Sequence, residues 1–439
     1  PGVVAWGENG LGTGASHMRI RGVDESRINV TLDGVSLNSP EDQTVFWANM
    51  NSYAALLGSV QIQRGVGTST HGDGAFGGSL SLATAAPALT PYAELTGSYG
   101  SYNTYNTGAS FSTGLLFNHL IFDGAYHETS TDGFIDGTSG RSGSYYGGLT
   151  WIGDKFQIRY KNIGNFEKTG QAWNYISGPN GDESYKQIWD MGLGRSNTLL
   201  GSYKKVGGKY VLNPFTMRDG NVWPRTTDNF YQNHNILSAV WQPSEHWTHN
   251  IALHYTYGSG YYKGFRSNKS LASKFGLSDN VKTDEVYRKG LTQNAYGLVY
   301  NVNYKIDSWD VIVGTNLQQF RGKHWGYIDY IKDVDMENKY LANGPYRYYD
   351  SDADKYDYSG FVKATYTFLT HWNVFADLQY RYVKYKFGGK NDRFVYGEDG
   401  KYYNQGLSID DNFSFFNPKA GISYTNGAHK AYASVAMSN

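Results

Sequence analysis

Cysteine is absent from all 439 residues, which excludes a disulfide scaffold, thiolate metal sites and a thiol nucleophile. No apolar run approaches the roughly 18 residues that a spanning helix needs, and mean hydropathy is −0.54. A helical membrane protein is excluded; a β-barrel, whose strands show lipid only every second residue, is not. Net charge is lacking as well. The 39 Lys and Arg balance 39 Asp and Glu, so the basic excess that neutralises phosphate in a nucleic-acid binder is missing, and a polybasic membrane-surface protein is excluded with it. Proline numbers only 10, whereas glycine at 54 and tyrosine at 39 are abundant, which is not the composition of a disordered chain. The sequence starts at Pro1 without a signal-peptide h-region and ends at Asn439 inside a strand-like run; both ends read as cuts in a longer exported protein.

A chain of this length calls for two domains or one very large closed sheet, and two regions with different patterning are visible. In residues 1–88, short apolar segments such as Ile28 to Leu32 and Val60 to Ile62 alternate with turn signals such as Asp33-Gly34. Tyr53 to Leu57 reads as a short helix, and Ala83 to Pro91 as a link. Residues 89–439 carry about thirteen runs of alternating apolarity, for example Trp372, Val374, Ala376, Leu378, Tyr380 and Tyr382 against Asn373, Asp377, Gln379 and Arg381. Period two puts the two sets on opposite faces of a strand. The runs centre near residues 97, 109, 123, 148, 160, 238, 252, 297, 315, 363, 379, 418 and 433. Their lengths suit strands of roughly ten residues tilted across a ~25 Å apolar band.

After the first pair, the connections alternate between short and long, as do the inner turns and outer loops of an outer-membrane barrel. Trp151, Trp241, Trp247, Trp309 and Trp372 stand beside the short links, where an interfacial girdle favours an indole. The bland alternative is a secreted all-β protein, such as a glycan-binding sandwich with surface aromatics.

Four blocks in the first region then resemble the plug domain of TonB-dependent outer-membrane transporters. They are Met18-Arg19-Ile20-Arg21-Gly22; Ile28 to Val35 (INVTLDGV) with Leu37-Asn38; Val60-Gln61-Ile62-Gln63-Arg64-Gly65; and Gly72 to Leu80 (GDGAFGGSL). The resemblance implies an all-β membrane protein: a plug over 1–88 filling the lumen of an antiparallel transmembrane barrel over 89–439, with thirteen of about 22 strands in this chain. It implies active import of a scarce, bulky small-molecule substrate across the outer membrane of a Gram-negative bacterium, driven by TonB, with outer-membrane lipid around the wall. Gly65, Gly72, Gly74, Gly77 and Gly78 are expected at plug turns, and Arg19, Arg21 and Arg64 as charge-assisted locks onto lumen carboxylates.

Other features carry less. Residues 72–77 satisfy G-x-G-x-x-G, but an alternating strand follows where the dinucleotide fingerprint needs a helix. Asp350, Asp352, Asp354 and Asp357 crowd a segment assigned to an outer loop, where a solvated acidic loop competes with a structural Ca²⁺ site; no other cofactor is expected. His71 sits in a glycine turn, and no Ser/His/Asp set assembles, so no enzyme is expected. The plug apex is expected near Ser39 to Asn49, with Gln43, Phe46 and Trp47 as ligand contacts. Trp173, Tyr175, Trp189, Trp223, Tyr261, Tyr262, Trp325, Tyr327, Tyr346, Tyr348 and Tyr349 fall in segments assigned to the outside. Such rigid amphipathic rings favour a flat substrate, a ferric siderophore first, then haem or a corrinoid. A glycan taken up with a surface lipoprotein is the second substrate reading.

Overall fold

The computed structural model describes residues 2–7, 16–50, 52–65, 77–173 and 178–437. The N-terminal region forms β1 (Val3–Gly7) paired with β2 (Ser16–Ile20), and a four-stranded sheet of β3 (Ile28–Leu32), β4 (Val35–Ser36), β5 (Leu57–Arg64) and β6 (Gly78–Thr84) in the order β4-β3-β6-β5. Strand β3 is buried at every position, because Ile28, Val30 and Leu32 enter the plug's own core with Leu80 and Leu82 of the parallel β6. Asp33 and Gly34 both have left-handed φ, 51° and 84°, which gives the tight turn to β4 that the Asp-Gly pair signals. The expected short helix is a single 3₁₀ turn, Tyr53–Leu56.

The described remainder is dominated by one antiparallel sheet of 13 strands. It runs through β7 (Tyr92–Gly100), β8 (Thr104–Ser112), β9 (Leu120–Thr131), β10 (Gly140–Ile152) and β11 (Phe156–Thr169). An excursion with α1 (Tyr185–Asp190) and the hairpin β12 (Gly201–Val206) and β13 (Lys209–Pro214) follows. The sheet resumes with β14 (Thr227–Ser244), β15 (Trp247–Ser270), β16 (Lys282–Ile306) and β17 (Trp309–Ile331), with α2 (Leu271–Phe275) between the second and third of these. After α3 (Val334–Tyr340) come β18 (Tyr346–Phe368) and β19 (Trp372–Gly389), a small hairpin of β20 (Phe394–Tyr396) and β21 (Tyr402–Asn404), and finally β22 (Leu407–Asn426) and β23 (His429–Ala436). Each of the thirteen alternating runs has become one of these wall strands. No helix among the described residues is long and apolar enough to cross a membrane.

Directly opposed residues of an antiparallel pair share a face, so contacts with the plug label both faces of the wall. Lys161, Asn165, His324 and Tyr385 each reach a plug residue and define the lumen side. The opposite side carries the row Leu253, Leu298, Leu317 and Tyr358, in register across four strands, all exposed except the half-buried Leu298. All five girdle tryptophans stand on that outward face, and three pack on a cross-strand tyrosine: Trp247 on Tyr304 at 4.5 Å, Trp309 on Tyr366 at 4.7 Å and Trp372 on Tyr424 at 4.9 Å.

The strands are longer than the alternation announces. β15 to β18 run 23 to 25 residues, about twice what the apolar band requires. The segments read as long loops near 261–289 and 323–356 are therefore mostly paired strand. Above the band both faces are wet, so neither must be apolar, and the sequence loses the signal while the backbone keeps its ladder.

The plug meets the wall through a few polar joints, and Ile163 is the wall residue that enters its buried core. Asp33, the turn residue, accepts hydrogen bonds from the Thr84 N–H and hydroxyl and forms an ion pair with Lys161 Nζ at 2.8 Å, both side chains largely buried. The Tyr53 hydroxyl donates to Asn165 Oδ1 at 3.2 Å; burial first, then the nearby Tyr145, pushes that phenol well above its ordinary range, so it stays a donor. Arg159 donates to the Ala85 carbonyl at 2.9 Å where the plug leaves for the wall.

Two outcomes follow. Leu298→Arg costs about 2–4 kcal/mol of stability in urea unfolding from lipid vesicles. Thr292→Arg, on the same face but flanked in register by Ser259 and Lys323, costs about 0–1 kcal/mol; equal costs would contradict the assignment of faces. Lys161→Met strands a buried carboxylate and destabilises the docked plug by about 3 kcal/mol, read as lost hydrogen-exchange protection in β3 and β6. Adding Asp33→Asn restores most of it if the pair acts as a unit.

Candidate functional site

Residues 36–50 of the plug form the surface nearest the upper lumen wall, and local hydrogen bonds fix their shape. The Asn38 carboxamide accepts from Val30 N–H at 2.7 Å and donates to the carbonyls of Ile28 and Gln43, both at 2.8 Å, so the segment is stitched to β3. A tight turn closes where Ser39 N–H donates to the Thr44 carbonyl at 2.7 Å, and Gln43 takes a left-handed φ of 64° within it. Val45 and Met50 are buried in the plug core. From the wall, His324 Nε2 lies 2.9 Å from both carboxylate oxygens of Glu41, and the Tyr385 hydroxyl donates to the Pro40 carbonyl at 3.5 Å.

Between this segment and the wall lies a cleft of about 50 Å³, lined on the plug side by Ser36, Leu37, Asn38, Ser39, Pro40, Phe46, Asn49 and Met50. The wall contributes Gln232 and His234 from β14, Thr256 from β15, Gln293 and Ala295 from β16, and Gln318 and Phe320 from β17. That volume holds a few waters or one substituent of a ligand. No Asp, Glu, Lys or Arg lines it among the described residues. His234 Nδ1 pairs with the Thr256 hydroxyl at 2.8 Å, while its buried Nε2 has no partner among the described residues. Phe46 is 52% exposed.

The structure sorts the residues singled out by sequence. Phe46 lines the cleft. Trp47 packs against the plug core with its indole N–H buried and without a partner among the described residues, and Gln43 contributes its carbonyl to Asn38 rather than a side chain to the cleft. Trp173 and the lumen-facing Tyr262 meet edge to face at 5.0 Å. Trp189, on α1, stacks on Phe134, and Trp223 packs beside Phe265. Tyr175, His71, Gly72 and Gly74 lie outside the described residues.

Several expectations are corrected. Tyr261, Trp325 and Tyr327 are not loop residues facing a ligand. By register they continue the outward face, where all three rings surround the Arg288 guanidinium at 5.3 to 5.6 Å. Tyr348 and Tyr349 are buried in an apolar cluster with Leu271, Phe275 and Ile328 above the membrane band, and Tyr346 opens β18. Asp350, Asp352 and Asp354 point outward from β18, toward Arg347, Lys323 and Arg321. Asp357 points into the lumen against Lys355 and Arg381. Alternation along the strand sends Asp357 to the face opposite the other three, each of which turns to a cation of its own, and no group of acidic or histidine side chains suited to a metal occurs among the described residues.

Arg19, Arg21 and Arg64 are exposed. Arg19 lies over the Trp6 ring at 5.7 Å, and none of the three is paired with a wall carboxylate among the described residues. The lock has the opposite sense, a plug carboxylate held by a wall cation, because the lumen face itself carries Arg159 and Lys161. Gly65 has a left-handed φ of 78°. Gly77 fits where a Cβ would stand 2.8 Å from both Val23 and the Arg27 carbonyl, and Gly78 where one would meet the Gln63 carbonyl at 2.7 Å. Gln232, Gln293 and Gln318 escaped notice in the sequence. Their one signal was position, on the polar set of alternating strands.

Comparison with known proteins bears on this architecture. Residues 1–79 match the family model of the TonB-dependent receptor plug domain. No protein of curated function matches the sequence. Among solved structures, the ferric yersiniabactin uptake receptor FyuA of Yersinia pestis aligns with a TM-score of 0.67 at 14% identity, over 99% of this chain and 60% of that one. The ferric-catecholate import receptor Fiu of E. coli aligns with 0.67 at 13% identity, over 100% and 65%. The ferripyoverdine receptor of the Pseudomonas aeruginosa outer membrane aligns with 0.65 at 14%, over 99% and 53%. The chain thus spans less than two thirds of the length of these structures. Residues 1–79 are a TonB-dependent receptor plug domain, and the sheet around it has the fold of the outer-membrane barrels of TonB-dependent receptors.

Proposed function

We propose that this chain belongs to an active importer that takes a bulky solute across the outer membrane, with TonB as the partner that supplies the pull. The observation that carries the reading is the character of the plug's seat. A stopper meant to stay would bury a broad apolar face against the wall; this one packs its buried core mostly on itself, meets the wall's apolar side chains at Ile163, Ala125 and Tyr146, and docks through Asp33 to Lys161, Glu41 to His324 and Tyr53 to Asn165. Such joints are directional and few, so they hold the plug in register yet release it in steps under a pulling force. The solute would sit on residues 36–50, where the cleft opens beside Phe46. The three structures compared above are named for ferric chelates, and in this chain the Trp173–Tyr262 pair puts two rings at the lumen wall, a surface that a flat chelate or the C–H face of a sugar can stack on.

Cells with and without the protein, offered radiolabelled ferric chelates and oligosaccharides, test the reading. Accumulation of one solute is expected only when the protein is present and the inner membrane is energised. Uptake that persists after the proton-motive force is dissipated is passive diffusion and overturns it.

A further inference from the structure

The cleft beside residues 36–50 has a chemistry that narrows what it takes, within the import reading above. Gln232, Gln293 and Gln318 come from three wall strands, and Asn49 faces them from the plug. None of these four carboxamides spends its side chain on a hydrogen bond to the described residues. Gln293 is flanked in register by Gly258 on one neighbour and Gly322 on the other, and a Cβ at Gly258 would stand 2.7 Å from Gln293 Nε2. The bare backbone is what lets this side chain lie across the strand toward Gln232. His234 adds an unpartnered, buried Nε2.

A carboxamide both donates and accepts, so several unspent amides in one cleft match a ligand that also does both at each group. Hydroxyls do this; carboxylates and catecholates only accept. An anionic chelate also needs cations, since a charge moved out of water without a partner is costly. No charged side chain lines the cleft, and the lumen-facing cations near it are engaged: Lys289 by Asp392, Lys355 by Asp357 and His324 by Glu41. We infer that the four carboxamides and Phe46 form a subsite for a neutral, hydroxyl-rich ligand of the oligosaccharide class, with one sugar substituent entering the cleft and a C–H face of the ring on Phe46.

The test is titration of the purified full-length protein in detergent with a panel of neutral glucans, mannans and xylans, and with ferric citrate and a ferric tris-catecholate. Saturable binding of one oligosaccharide is expected. It changes less than twofold between low and high salt, as an uncharged contact should, and weakens about tenfold in Gln293→Ala and in Gln232→Ala, the scale of one lost hydrogen bond. Preserved barrel folding in each variant is confirmed by heat-modified gel mobility. Tight, salt-sensitive binding of a ferric chelate that both variants retain overturns the inference, as does failure of every glycan in the panel to bind. Uptake separates this from the import reading: energy-dependent accumulation of a ferric chelate sinks the ligand class and leaves import standing. Oligosaccharide binding without energy-dependent uptake does the reverse.

Discussion

A backbone crossing lipid has no water to pair with, so every N–H and C=O in the wall must find a partner on a neighbouring strand. That requirement fixes the register, and register fixes everything else, because side chains alternate strictly along a paired strand. Lys161 faces Asp33 only because Tyr160 and Asn162 face out; a slip by one residue against β14 would put either the lysine in lipid or Leu237 in the lumen. The continuous registers of β15 through β19, broken only near their outer ends, extend this discipline past the membrane. There the hydrogen bonding persists although no apolar surface is left to demand it.

The same alternation accounts for the way charge is distributed. Lumen-facing Arg159 and Lys161 are set beside the plug's carboxylate and carbonyl groups, and lumen-facing Asp357 is held by Lys355 and Arg381. Outward-facing charges pair across strands, as in Arg321 with Asp354 and Lys323 with Asp352, and being exposed they contribute little stability. The buried pairs are the costly ones to break, since each would leave a charge that water does not reach. A plug seated by such pairs is specific in its register without being glued in place.

How far the sequence discloses this depends on where each face ends up. The thirteen wall strands were legible because lipid on one side and water on the other imposes period two, and the plug was legible because its glycines and its Asp-Gly turn are backbone necessities. Above the apolar band the contrast vanishes, so Tyr261, Trp325 and Tyr327 looked like loop aromatics although they stand on paired strands facing outward around Arg288. The same loss of contrast made Asp350, Asp352, Asp354 and Asp357 look like one cluster when the pleat sends the last of them to the other side. The cleft was hidden for a different reason: Gln232, Gln293 and Gln318 are far apart along the chain, and only the sheet order brings them together.

Coupling between cleft and plug then reduces to which groups are shared. Ser39 lines the cleft, and its backbone closes the turn that also carries Glu41 to His324; Asn38, its neighbour, clamps β3 through Val30 and Ile28. Strand β3 ends at Leu32 and leads directly into Asp33, the residue held by Lys161. A ligand in the cleft therefore presses on one end of a short, hydrogen-bonded path whose other end is the plug's main electrostatic anchor. It shifts the seat only by the difference between its contacts with the docked and the displaced segment. Residues 36–50 are the part of the plug through which such a difference reaches the seat, because they touch cleft, core and wall at once.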